Sequence, residues 1–183
     1  MRIGKFLYFG DFVVIPIAVL WFGAAAYMTG GAAAIPEWCL SLLFGAALWT
    51  LVEYLVHRYA YHHAPVLTPL HDAHHREPLA FVGVPSFLSS GLILAVCYLP
   101  LRGVAPVFAA GFTSGMMLGY AAYMFVHHAT HHFNIQPGDR LYEARLRHMT
   151  HHYREGVNYG VSTGFWDRVF RTEGARRPRT ARV

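Results

Sequence analysis

Apolar positions in this chain run in long unbroken blocks, not in the alternation of a strand or the one-sided stripe of a water-facing helix. Four blocks carry the pattern: Phe12–Thr29, Trp38–Val56, Leu79–Leu101 and Val104–Val126. At 1.5 Å of rise per residue each reaches about 27 to 35 Å, which matches a hydrocarbon core of about 30 Å. The expected architecture is all-α, with four transmembrane helices at about 12–29, 38–56, 79–101 and 104–126. Two polar pieces, 57–78 and 127–172, form a helical cap, and a basic tail follows at 173–183, all within one membrane domain over 1–183.

The first block, preceded by Arg2 and Lys5 and followed by "GGAAA", also has the outline of a cleaved leader. No small-residue cleavage pattern closes it, and three later blocks already commit the chain to a bilayer. Composition agrees. Hydrophobic residues make up 55% and charged ones 14% of the chain, against roughly 25% charged in soluble domains. Arg2, Lys5, Arg58, Arg76 and the ten arginines after the fourth block share one side, with Arg102 alone on the other. The positive-inside tendency then puts both termini and the 57–78 loop in the cytoplasm. The formal charge of +5 and the terminal "RRPRTAR" are met by anionic lipid, so no nucleic-acid partner is expected. Cys39 and Cys97 both fall near the outer ends of their blocks, where a bridge stays open, and read first as two buried free thiols.

Local signals put helices in the cap. Thr68 before Pro69 reads as an N-cap for a short helix carrying His71, His74 and His75 on one face. Asp139 opens a second helix running to about Glu155, with Leu141, Ala144, His148, His151 and His152 in one stripe and Gly156 as its stop.

All 13 histidines fall in four clusters on this one interface, "HRYAYHH", "HDAHH", "HHATHH" and "HMTHH". One interfacial histidine is ordinary, but four clusters on one face point to metal, since neutral imidazole is the commonest metal ligand. Imidazole suits zinc, copper, iron and nickel alike. Ten candidates are too many for one ion and fit two, five apiece. Carboxylates that orient the rings are then expected. Glu53, one turn before His57, is the first candidate, as acceptor of that ring's other N–H. Asp167 is a second, weaker one, and with Asp72, Glu77 and Glu155 it also reads as a surface carboxylate beside arginines. Phosphate loops, hydrolase nucleophiles and redox cysteine pairs are missing from the sequence.

The ordered motifs HRxxxH (His57 to His62), HxxHH (His71 to His75), HxxxHH (His127 to His132) and HxxHH (His148 to His152), closed by "NYGVSTGFWDRVFRT", resemble the fatty acid hydroxylase and sterol desaturase superfamily. The resemblance runs from about Glu53 to Thr172 and is nearest to the fatty acyl 2-hydroxylases. It implies a membrane oxygenase with two iron ions, zinc being a substitute in a purified sample, that uses O2 on an acyl chain. The ligands it implies are His57, His62, His71, His74, His75, His127, His131, His148, His151 and His152. His63 and His128 are extra to the pattern, and His132 lies in the motif without a clear ligand role. The short His62 to His71 spacing is closer to sterol desaturases and carotenoid hydroxylases, so those substrates stay open. No cytochrome b5 domain is fused, and electrons are expected from a separate cytochrome b5-like protein, ferredoxin or reductase. Tyr120, Tyr123, Tyr159, Phe165 and Trp166 are candidates for a substrate tunnel. Two rival classes differ in ligand placement: a metal transporter holds its ligands near the bilayer midplane, and a zinc-stapled structural protein uses closed tetrahedral sites.

Overall fold

Gly31 turns the first apolar run back on itself. The computed structural model describes residues 3–154 and 156–174. In it α1 (Lys5–Phe9) leads into α2 (Asp11–Gly30), which stops where Gly31 takes a φ of 63° and donates its N–H to the Tyr27 carbonyl. Only glycine adopts that backbone without a Cβ penalty. One 3₁₀ turn, Gly31–Ala34, feeds α3 (Ile35–Leu55), and Trp38 packs on Gly23 across the turn, so α2 and α3 are antiparallel. Past Leu55 the helix widens into a π-helical turn, Val56–Tyr61. Then come α4 (Thr68–Arg76), α5 (Ser86–Ile93) with a second π-helical turn to Tyr98, α6 (Pro106–His132), α7 (Tyr142–Tyr153) and α8 (Phe165–Val169). The described residues contain no β-strand, in agreement with the all-α expectation.

Helix α6 is the axis of the molecule. Gly111, Gly115 and Gly119, four apart and so on one face, lie against Trp38, Leu42 and Trp49 of α3. The rising order in both helices makes them parallel, and both end at histidines. A Cβ at Gly115 would stand 2.0 Å from the Leu42 carbonyl oxygen, so the small residues permit a backbone approach that larger ones forbid. On its other sides α6 meets α2 and α5 in a core of Ile15, Phe22, Ile93, Cys97 and Met117. Helices α2 and α5 start at the histidine end together: Phe87 packs on Gly10, and Phe22 meets Tyr98 at 4.8 Å further along. Ser90 ties them with a hydrogen bond to the buried Asp11 at 2.8 Å.

The outer faces are apolar. Ile17, Leu20, Met28, Leu40, Leu43, Leu92 and Val96 are all more than half exposed, a belt far beyond the patches a water-soluble surface carries. The run Lys5–Tyr61 is long and apolar enough to cross a membrane. Helix α6, lined with Gly, Ser and Thr, is less apolar because it faces protein.

The third expected span, 79–101, is corrected. Residues 79–85 leave the helix, and only Ser86–Tyr98 is helical before the turn at 99–105. Of this irregular stretch, Val82, Gly83 and Val84 line a cavity. The cap helices also start differently. Helix α4 begins at Thr68 itself, whose hydroxyl returns to the Ala64 carbonyl and caps nothing. Asp139 closes the turn before α7 by accepting the Gln136 N–H at 2.7 Å. Gly156 has the positive φ expected of a helix stop, 80°. Cys39 and Cys97 are free thiols, but only Cys97 is buried; Cys39 is exposed, against the expectation of two buried ones. Arg2, Glu155 and the tail from 175 lie outside the described residues.

Candidate metal centre

Four elements converge at the histidine end. The turn after α3 supplies His57 and His62, α4 supplies His71, His74 and His75, the last two turns of α6 supply His127 and His131, and α7 supplies His148, His151 and His152. The structure sorts them into two groups of five, His57, His62, His71, His75 and His151 against His74, His127, His131, His148 and His152, with one ring nitrogen of each within 4.8 Å of the others.

The sorting follows helix geometry. In α4 the pair His71 and His75, one turn apart, serves the first group and His74 the second, while in α7 His148 and His152 serve the second and His151 the first. Each group thus takes an i, i+4 pair from one cap helix, one histidine from the other, and two from a bundle helix. His57 and His62 are five apart, which in an α-helix puts them on different faces. The π-helical turn restores the match, because its repeat is i to i+5, and the two rings stack at 5.5 Å.

Within each group Nε2 atoms face one another. His57, His62 and His75 approach His71 at 3.2, 3.1 and 3.0 Å, and His62 lies 3.3 Å from His151. In the second group His127 meets His74 at 3.0 Å, and His148 meets His131 and His152 at 2.7 and 3.2 Å. Nitrogens at about 2.1 Å from one ion and at right angles to each other stand about 3 Å apart. The donor sets therefore fit one divalent ion per group. Burial, and after it the neighbouring imidazoles, push His74 and His131 down to about 3. Burial lowers His151 to about 4 against the opposing bond from its other nitrogen. The rings are neutral at physiological pH, the form a metal requires.

The partner expected for His57 is corrected. Its Nδ1–H donates to the Tyr159 carbonyl at 2.6 Å, not to Glu53. Glu53, buried at the end of α3, instead accepts the N–H groups of Val161 and Ser162 at 2.7 and 2.9 Å, together with the Ser162 hydroxyl. Asp167 is no surface carboxylate: fully buried, it accepts the N–H groups of Tyr159 and Gly160 at 2.8 and 2.9 Å and the Thr172 hydroxyl at 2.8 Å. Four consecutive amides, 159 to 162, are thus clamped by two carboxylates. The same strap offers the Val157 carbonyl to His151 Nδ1 at 2.9 Å. Sequence reasoning missed the strap carbonyls, since every residue has one. Asp72 is exposed, and His63 and His132 stand outside both groups, His132 stacking on His128 at 4.2 Å.

A cavity opens beside the rings toward the bundle. His57, His71, His74 and His127 form one wall, Val82 to Val84 another, and Tyr120, Tyr123 and Met124 of α6 a third. Of the five aromatic residues proposed for a tunnel, Tyr120 and Tyr123 line this cavity, while Tyr159, Phe165 and Trp166 do not. Tyr159 sits under the first group, Phe165 is half exposed, and Trp166 donates to Thr50 at 3.0 Å. Tyr8 and Tyr61, which also line the cavity, carried no signal in the sequence.

The fatty acid hydroxylase family model matches residues 42–172, a stretch that contains all ten histidines, Glu53 and the strap. The chain belongs to the fatty acid hydroxylase family. Among relatives of the chain, rat fatty acid 2-hydroxylase is 33% identical over 75% of this chain and 41% of its own length. The ceramide very long chain fatty acid hydroxylase scs7 of Schizosaccharomyces pombe is 36% identical over 72% and 42%. A dihydroceramide fatty acyl 2-hydroxylase of Arabidopsis thaliana is 29% identical over 85% and 71%. The hydroxylase domain visible in a solved structure of full-length scs7p superposes with a TM-score of 0.74 at 26% identity, over 92% of this chain and 67% of that one. The chain spans 41 to 45% of the length of three mammalian fatty acid 2-hydroxylases.

Proposed function

We propose that this chain is an integral-membrane fatty acyl 2-hydroxylase domain, residues 1–183, whose four apolar helical segments cross the bilayer and whose ten grouped histidines hold two iron ions on the cytoplasmic side. The observation that carries this reading is the cavity wall: four of the ten rings, from both groups, face an apolar space that opens toward the bundle. Each iron ion would sit in one group of five. Bound there, they would supply the reduction of O2 by two electrons and two protons, with one oxygen entering a C–H bond as hydroxyl and the other leaving as water.

The protein's own part is binding, orientation and exclusion of water. Leu67, Leu70, Val82, Val84 and Met124 give the cavity an apolar lining suited to an acyl chain. An acyl chain held with its carbonyl end at the rings would present its second carbon as the nearest methylene. His57 and His151 are held in one tautomer by their strap carbonyls, Nδ1 protonated and Nε2 free. Tyr61 stacks on His71 at 5.4 Å and Tyr123 on His127 at 5.8 Å, so two tyrosines brace the rings that border the lipid. Electrons come from a donor of the cytochrome b5, ferredoxin or reductase type.

The test compares total lipid mass spectra of cells with and without the gene. Acyl chains heavier by one oxygen, with fragmentation placing it at the second carbon, are expected. Two missing hydrogens, or oxygen on a sterol or carotenoid, would replace this reading. His74→Ala should abolish the product while membrane insertion and protein level are kept.

A further inference from the structure

The two groups of five are built alike but supported differently, and we infer that they bind metal unequally. The group containing His57 is the tight site, made so by the 157–162 strap that Glu53 and Asp167 clamp, and the group containing His148 is the weaker, exchangeable one. The inference rests on the dimetal reading above.

In the first group two rings are anchored from outside the group. His151 Nδ1 donates to the Val157 carbonyl, whose peptide unit in turn donates the Asn158 N–H to the Thr172 carbonyl at 2.8 Å. His57 Nδ1 donates to the Tyr159 carbonyl, and the N–H of that same peptide unit, on Gly160, donates to Asp167. A carboxylate accepting at one end of a peptide unit makes its carbonyl a stronger acceptor at the other. Asp167 therefore acts on His57 through one peptide unit, raising the basicity of Nε2 without touching the ring. Three donors on Asp167 and three on Glu53 match acceptor-only, ionised carboxylates. Two carboxylates thus lie behind one of the two groups, with the Arg147 guanidinium near both to offset what burial costs their charged form.

The second group has no such backing. Among the described residues, the hydrogen bonds of its rings run only to other rings of the group. His148 Nδ1 is buried without any hydrogen-bond partner. A ring whose second nitrogen is unanchored is oriented by packing alone, and loss of such outer partners typically costs 10- to 100-fold in metal affinity. Glu53 and Asp167 are positioning residues here, not ligands.

The experiment titrates metal-free, detergent-solubilised protein with Co(II), following its d–d absorption, and measures bound metal by mass spectrometry. Two steps separated by about tenfold or more are expected. His151→Ala should remove the tight step and His148→Ala the weak one. Glu53→Gln and Asp167→Asn should weaken the tight step by about 10- to 100-fold and the other by less than about threefold. Ser162→Ala, which removes only the hydroxyl bond to Glu53, gives the same selectivity at smaller size and decides the matter if either carboxylate variant fails to fold. Two indistinguishable steps, or equal weakening of both by Ser162→Ala, would overturn the inference and leave the dimetal reading intact. Failure to bind Co(II) at all would end that reading.

Discussion

His57 and Asp167 never touch, yet the Tyr159–Gly160 peptide unit connects them, with its carbonyl on the ring and its N–H on the carboxylate. Gly160 is confined accordingly: a Cβ there would lie 2.1 Å from the Thr163 carbonyl oxygen and 2.8 Å from Asp167 Oδ2. Gly160→Ala must move the strap, a strain of about 1–3 kcal/mol, and thermal unfolding in detergent should show the lowered midpoint. Hydroxylated product should fall with it, because the carbonyl that orients His57 moves too. The histidines themselves were legible as residues. Side-chain type and spacing declare an imidazole, and all ten proposed ligands are gathered into the two groups. Their anchors were not legible, because a backbone carbonyl has no letter in the sequence and Glu53, placed one turn from His57, proved to face the strap.

At the scale of elements, two departures from the regular α-helix decide the architecture. The π-helical turn at Val56–Tyr61 puts His57 and His62, five residues apart, on one face, a job that His127 and His131 do at ordinary four-residue spacing on α6. The glycine stripe of α6 sets how closely α3 approaches, and so how closely their terminal histidines meet. Gly115→Leu should separate the two helices, since even a first Cβ would lie 2.0 Å from the Leu42 carbonyl oxygen. The expected outcome is a loss of more than about 3 kcal/mol, beyond ordinary overpacking, seen as a sharply lowered unfolding midpoint and loss of bound metal. Gly91→Ala in α5 is the matched control: nothing lies within 4 Å of its Cβ, and a gain of about 0.5–1 kcal/mol is expected. Long apolar blocks announced α2, α3 and α6 within a few residues. The third block misled because Val82, Gly83 and Val84 line the cavity and Phe81 packs on Tyr8 and Phe9, and hydrophobicity does not record what a side chain packs against.

For the whole molecule, the metal-free protein carries a buried store of neutral imidazoles that acid must charge. Unfolded histidines titrate near 6.5, whereas His74 and His131 are held at about 3 and His151 at about 4. Between those values the unfolded chain binds more protons than the folded one, so stability rises with pH there. The metal-free protein should be fully stable above about pH 6.5 and lose stability progressively as pH falls toward 3. Equilibrium unfolding at stepped pH checks the slope, and a flat profile would refute it. Orientation is tested separately in a Cys39→Ser background. Arg102→Cys, in the turn between α5 and α6, should react with an impermeant maleimide on intact cells, and Arg140→Cys only after permeabilisation. By itself the sequence determined that the chain is helical, apolar on the outside and provided with ten imidazoles at one end, because residue type and spacing along a helix are local properties. Only the tertiary structure decided which five belong together, which carbonyls hold them and that two buried carboxylates clamp the strap those carbonyls belong to. Those facts depend on contacts between residues up to 109 apart in the chain, such as Glu53 with Ser162, and such contacts exist only once the helices have packed.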